Sequence, residues 1–302
     1  MTRASTYNEP FESFVAPARS KPQIWRVVVA VLAWFAIGFG FAVALAAILA
    51  YRDPDMVAST GLFVGTTPLG VVSFLSVFVG AFLGIWLITL VLHRRGLRSL
   101  IGRGPVLRNF IVAAGLFAML QAINVGLWHL SYDSVPNVAL DTFLAWLPIL
   151  IAVLVIQTGA EELLCRGYLM QQLAARFASR WVWMVIPQVF FALLHFNPAT
   201  YGPITWVIIG FIFILAMLWA DLTRITGNLG AAWGWHFANN FIVFGVFGSP
   251  GDVDGLALRV TPYDVTDTPM LAYVGAVATM VLTWVILRRL LRPCLHIVVL
   301  RH

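Results

Sequence analysis

Long apolar segments alternate with short polar ones along almost the whole chain. A helix needs about 20 apolar residues to cross the hydrocarbon core of a bilayer. The pattern predicts eight such helices, of which the fifth is short. They span residues 24–50, 70–93, 109–130, 142–177, 181–196, 203–222, 228–247 and 271–291. The predicted fold is therefore all-α, a polytopic membrane helical bundle of about eight transmembrane helices.

The composition agrees with a membrane protein, because 61% of the 302 residues are hydrophobic and only 11% are charged. Residues 1–23 are polar and contain several prolines, so we expect a mobile cytoplasmic N-terminal tail rather than a signal peptide. Residues 24–302 are expected to form a single integral-membrane domain. Cys165 and Cys294 are the two cysteines, and their positions imply no disulfide framework.

The net charge of +6 comes from positive residues that fall between the apolar segments. This placement indicates a topology signal and contact with lipid head groups, not nucleic-acid binding. With eight spans, nearly all of these residues fall on one side, and only Arg52 and Arg259 fall in loops on the other. Both termini are therefore predicted to be cytoplasmic, in a protein of the bacterial plasma membrane.

Two adjacent glutamates interrupt the fourth apolar segment, in the sequence Gly-Ala-Glu161-Glu162-Leu-Leu-Cys-Arg166. A charge at this depth costs about 2.5–3.5 kcal/mol on insertion scales, so it usually faces a partner or a cavity. Glu162 and Arg166 are four residues apart and can pair on one helix face. Glu161 projects about 100° away from Glu162 and is free for other work. The alternative is that both glutamates only satisfy polar groups within the bundle.

Two later apolar segments each contain a histidine. His195 follows Phe191-Ala-Leu-Leu, and His236 precedes Asn240 by four residues, so His236 and Asn240 share a helix face. Taken alone, His195 also fits a helix end at the lipid head groups. His236 and Asn240 also fit ordinary hydrogen bonds between helices.

The three motifs Glu-Glu-x-x-x-Arg, Phe-x-x-x-His and His-x-x-x-Asn, in this order on apolar helices, resemble the CAAX prenyl endopeptidase family. This family is also called CPBP, for CAAX proteases and bacteriocin-processing enzymes. The resemblance covers residues 142–245, with Arg-Gly-Tyr-Leu after the first motif and Thr-Gly-Asn-Leu-Gly before the third.

The resemblance implies a glutamate intramembrane endopeptidase that hydrolyses a peptide bond of a membrane-associated substrate with activated water. It implies that Glu161 is the catalytic base and that His195 helps to hold the water. His236 and Asn240 then stabilise the oxyanion, while Glu162 and Arg166 support the site. No metal or other cofactor is expected.

Three other interpretations remain. Glu161, His195 and His236 are enough ligands for a zinc protease with one open position, although no His-Glu-x-x-His motif is present. A non-catalytic membrane scaffold or bacteriocin-immunity protein would use the same residues for binding. A transporter is disfavoured, because the sequence shows no repeated half.

The depth of His195 restricts the fifth segment. His195 lies about 22 Å beyond Arg180 along a helix, too far from the surface if that helix runs straight inward. We therefore expect the helix to be steeply tilted, or to begin on the membrane surface around residues 178–184. The loop 197–203 would then dip inward, covered by protein or by water in a cavity.

Overall fold

The computed structural model describes residues 8–54 and 65–291. The α-helices of this part are α1 Glu9–Val15, α2 Ile24–Arg52, α3 Pro68–His93, α4 Arg98–Ile101, α5 Val106–Trp128, α6 Leu140–Glu162, α7 Met170–Arg176, α8 Ile186–Leu193, α9 Pro198–Tyr201, α10 Thr205–Thr226, α11 Gly230–Phe241 and α12 Met270–Leu290. π-helical turns cover Leu163–Leu169, Trp181–Val185 and Ile242–Val246, and 3-10 turns cover Ala16–Ser20, Gly202–Ile204 and Val265–Asp267. The predicted all-α class is confirmed.

A small sheet joins loops at one end of the bundle. Its strands are β1 Val135–Pro136, β2 Phe247–Gly248 and β3 Arg259–Val260. The central strand β3 pairs antiparallel with β1 and parallel with β2. The sheet therefore connects the loop before α6 to the two segments between α11 and α12.

Six helical segments of the described chain are long and apolar enough to cross a membrane, and Leu140–Arg176 is one continuous segment of 37 residues. The predicted spans 181–196 and 228–247 instead contain short helices, Trp181–Leu193 and the 12-residue α11. α11 continues without a break into the π-helical turn Ile242–Val246, and the combined segment extends about 25 Å, against about 30 Å of hydrocarbon. Both short helices pack among the long ones. Apolar patterning alone does not distinguish a span from a helix buried by its neighbours.

The region expected to be a mobile tail is folded from residue 8 onward, which corrects that prediction. Phe11, Phe14 and Val15 of α1 are buried in the core. The Phe11 ring centroid lies 4.8 Å from that of Trp183. Phe14 and Val15 follow Phe11 by three and four residues, which puts the three apolar side chains on a single helix face. The segment therefore docks on the bundle instead of staying in solvent.

One end of the bundle collects most of the positive charge, and we call it the Arg-rich end. Contacts join its parts: Lys21 donates to the Leu92 carbonyl, Arg95 to the Gln171 side chain, and Gly102 pairs with Asn228. Its positive residues are Arg19, Lys21, Arg26, Arg94, Arg95, Arg98, Arg103, Arg108, Arg176, Arg180, Arg224, Arg288 and Arg289. In the described chain the opposite end holds Arg52 and Arg259. The charge asymmetry is thus present in the fold, while the cytoplasmic orientation stays a prediction.

Two glycines bring α11 against α5. A Cβ atom at Gly234 would lie 2.1 Å from the Phe110 carbonyl oxygen, and one at Gly230 would lie 2.3 Å from that of Val106. Small residues four apart let membrane helices approach closely. Because α11 carries the third motif, this contact positions His236 within the bundle.

Candidate active site

The two glutamates are the last residues of α6, and the chain continues directly into a π-helical turn, Leu163–Leu169. Glu162 and Arg166 have 0% of their surface exposed, His236 2% and Glu161 6%. Widened turns of this kind occur frequently at functional sites. Four ionisable side chains are therefore gathered in the interior, where each needs a partner.

Arg166 forms the predicted ion pair with Glu162. Its Nη1 atom donates to Glu162 Oε1 at 2.9 Å. The guanidinium carbon also lies 4.4 Å from the ring centroid of Phe191 and 5.3 Å from that of Trp219. The pair and the two aromatic faces stabilise the buried arginine charge, although Arg166 Nε and Nη2 have no hydrogen-bond partner in the described residues.

His236 joins the two carboxylates. Its Nδ1 atom lies 2.9 Å from Glu162 Oε1, and its Nε2 atom lies 3.3 Å from Glu161 Oε2. The ring stacks on Trp219, with centroids 4.3 Å apart and planes inclined by 20°. The two glutamates point apart as helix neighbours do, yet α11 places one imidazole where both reach it. Helical spacing alone did not predict this bridge.

Gln157 also belongs to the site, although the sequence analysis missed it. Its Nε2 atom donates to Glu161 Oε2 at 2.8 Å, and its Oε1 atom accepts from Asn240 Nδ2 at 2.8 Å. Asn240 Nδ2 also lies 3.4 Å from His236 Nε2. Gln157 precedes Glu161 by one helical turn. A polar residue at that spacing in an apolar helix could have predicted its contact with Glu161 from the sequence.

His195 lies beside this network and not within it. Its Nδ1 atom donates to the Phe191 carbonyl at 2.9 Å, which leaves Nε2 as an acceptor. The Phe191 ring centroid lies 4.9 Å from that of His195 and 5.9 Å from that of His236. In the described structure no hydrogen bond joins His195 to either glutamate. Thus Glu161, His236 and Asn240 are in one network, with His195 at its edge.

The exposure of the side chains differs across the site. Glu161 retains 8% of its side-chain surface, whereas Glu162 and Arg166 retain 0%. His195 and Asn240 are half-buried. The Glu161 side of the network therefore faces the accessible edge, and the Glu162–Arg166 pair lies behind it.

The residues considered as zinc ligands do not form a ligand group. Within residues 8–54 and 65–291, no three His, Cys, Asp or Glu side chains are arranged to hold a metal ion. The described residues therefore contain no group of three side chains that could act as the zinc ligands of that hypothesis. Cys165 is a free, buried thiol in the π-helical turn.

The long apolar helices define an integral membrane protein, and its buried network joins two carboxylates, an imidazole and two amides. Residues 142–242, about a third of the chain, match the family described as Rce1-like, type II CAAX prenyl endopeptidase. The match confirms the resemblance carried by the three motifs and supports a CAAX protease-type membrane endopeptidase. The described site lies within this segment.

Among curated proteins, the uncharacterized protein YyaK of Bacillus subtilis (strain 168) is similar to the chain. The two are 26% identical over 246 residues, which cover 76% of this chain and 80% of the relative. No solved structure matches the chain. The similarity extends beyond the family core into the flanking helices.

Proposed function

We propose that this protein is an intramembrane endopeptidase that uses Glu161 to activate the attacking water. The observation that carries the proposal is the unequal environment of two adjacent glutamates. Both contact His236, but Glu162 is fully buried and paired with Arg166, while Glu161 has no arginine partner among the described residues and retains 8% of its side-chain surface. One carboxylate is therefore available to exchange a proton with water.

In the proposed reaction, Glu161 takes a proton from a water molecule as the water oxygen bonds to the carbonyl carbon of the scissile peptide. His195 Nε2 accepts a hydrogen bond from the same water and holds it at the edge of the site. A general base that acts in this way accelerates hydrolysis by about 10²–10⁴. Gln157 keeps the Glu161 carboxylate oriented through its amide.

The attack puts negative charge on the former carbonyl oxygen, and preplaced donors stabilise it. The Asn240 amide supplies an N–H group, and His236 supplies another when Nε2 carries a proton. Glu161 then delivers its proton to the amide nitrogen, the C–N bond breaks, and a carboxylate and an amine leave. No covalent enzyme intermediate is required.

The substrate class we propose is a peptide or protein segment associated with the bilayer. The long apolar helices and the family match support the membrane setting. We further propose that the site opens toward the cytoplasm, because the positive residues collect at one end of the bundle.

The test is cleavage of candidate membrane-associated peptides by purified protein in liposomes, with product masses identifying the broken bond. Glu161→Gln should lower cleavage about 10²–10⁴-fold, while Asp141→Asn, which removes an exposed carboxylate at the start of α6, should retain it. If wild type binds peptides but never cleaves them, the scaffold or immunity interpretation replaces this proposal. Cleavage only of probes presented at the outer face would overturn the orientation alone.

A further inference from the structure

A cavity of about 400 Å³ lies at the Arg-rich end, away from the carboxylate–histidine network. It separates the N-terminal segment from α4 and the loop before α5. Its lining includes Ser13, Phe14, Pro17, Arg98, Ser99 and Arg103. Two arginines and two serines therefore line the cavity together with Phe14 and Pro17, and the Ser99 hydroxyl donates to the Gly96 carbonyl.

Arg98 and Arg103 have no protein partner in the described part of the chain. Two arginines elsewhere at this end form ion pairs, Arg19 with Glu12 and Arg224 with Asp221. Glu12, the carboxylate next to Ser13 in sequence, lies 2.7 Å from Arg19 and forms an ion pair with it. Two uncompensated positive charges therefore face one concave space, which is suited to an anion.

The cavity lies at the level where head groups are expected. It adjoins the loop between the end of α3 at His93 and the start of α5 at Val106. Trp25 and Trp181 at this end are 55% and 76% exposed, and exposed tryptophans mark the membrane interface. Next to Arg103, the outer face of α5 shows Leu107 and Ile111, which are 71% and 60% exposed.

We propose that this cavity binds the phosphate of an anionic phospholipid, with the acyl chains lying along Leu107 and Ile111. The two arginines and the Ser13 hydroxyl match a phosphodiester, and basic pockets between spans are known to hold anionic head groups. Free phosphate shares the head-group chemistry but has no chains to bury on α5. The proposed occupant is therefore a lipid.

The experiment uses full-length protein in an uncharged detergent and measures thermal stabilisation by short-chain phosphatidylglycerol. Phosphatidylcholine and inorganic phosphate are the parallel arms. The test variants are Arg98→Gln, Arg103→Gln and their combination, and the matched control is Arg108→Gln, an exposed arginine on α5 that does not line the cavity.

We expect phosphatidylglycerol to stabilise wild type more than either other arm. Each cavity variant should weaken its apparent affinity roughly fivefold, and the pair roughly 30-fold, which corresponds to about 1 kcal/mol per arginine. Arg108→Gln should bind like wild type.

Equal losses of affinity in Arg108→Gln would show a diffuse surface effect and overturn the proposed site. Equal stabilisation by inorganic phosphate would overturn the lipid assignment. Fold integrity is checked by the unliganded melting temperature of each variant.

Discussion

Glu162→Gln should destabilise the fold strongly, whereas Glu161→Gln should leave stability nearly unchanged and stop turnover. The Glu162–Arg166 pair has 0% exposure at both side chains, so the first change leaves a buried guanidinium without its carboxylate. Removing one partner of a buried ion pair costs about 3–5 kcal/mol. In the described part of the chain Glu161 has no arginine partner, and it retains 8% exposure, so its neutralisation should cost about 1 kcal/mol or less.

The double variant Glu162→Gln with Arg166→Met separates charge from packing. It removes both charges and keeps a long side chain against Phe191 and Trp219. Replacing both members of a buried pair by uncharged groups is often close to neutral. The double variant should therefore recover most of the stability that Glu162→Gln loses.

Two measurements on the same preparations test whether Glu162 supports stability and Glu161 supports turnover. Unfolding in mixed micelles of increasing denaturing detergent, followed by tryptophan fluorescence, gives stability. Peptide cleavage in liposomes gives turnover, which should fall about 10²–10⁴-fold in Glu161→Gln. A Glu162→Gln protein of wild-type stability but without activity would refute the assignment of separate roles to the two glutamates.

Three further outcomes are expected. Gln157→Leu removes the amide that links Glu161 to Asn240, so kcat should fall roughly 10-fold or more with little change in KM, measured by steady-state cleavage. Gly234→Ala should destabilise the fold by about 1–3 kcal/mol in the same unfolding assay, because the added Cβ would lie 2.1 Å from a carbonyl oxygen. The control Gly115→Ala adds a Cβ with nothing within 4 Å, so it should be neutral or stabilising. Activity should survive dialysis against a chelator, and loss of activity restored by stoichiometric zinc would contradict the metal-free mechanism.

Local pattern was sufficient for much of the architecture. Apolar length predicted the six long helices, and the spacing of four residues predicted the Glu162–Arg166 pair. Motif order predicted the family resemblance that the match to residues 142–242 confirms. These features depend on neighbours along one helix, so helical periodicity is enough to read them.

Other features depend on how separate helices cross, and periodicity carries no information about crossing. The bridge from His236 to both glutamates exists because close contact at Gly230 and Gly234 positions α11. The same packing brings Asn240 to Gln157, and His195 packs against the Phe191 ring.

The tertiary structure also decided which apolar segments form the six long helices and that residues 8–20 dock on the bundle. Burial of a helix by its neighbours and burial by lipid leave the same apolar signature. The sequence by itself therefore determined the membrane class and the reactive residue types. Their partners, their exposure and the basic cavity follow from contacts between residues far apart in the chain.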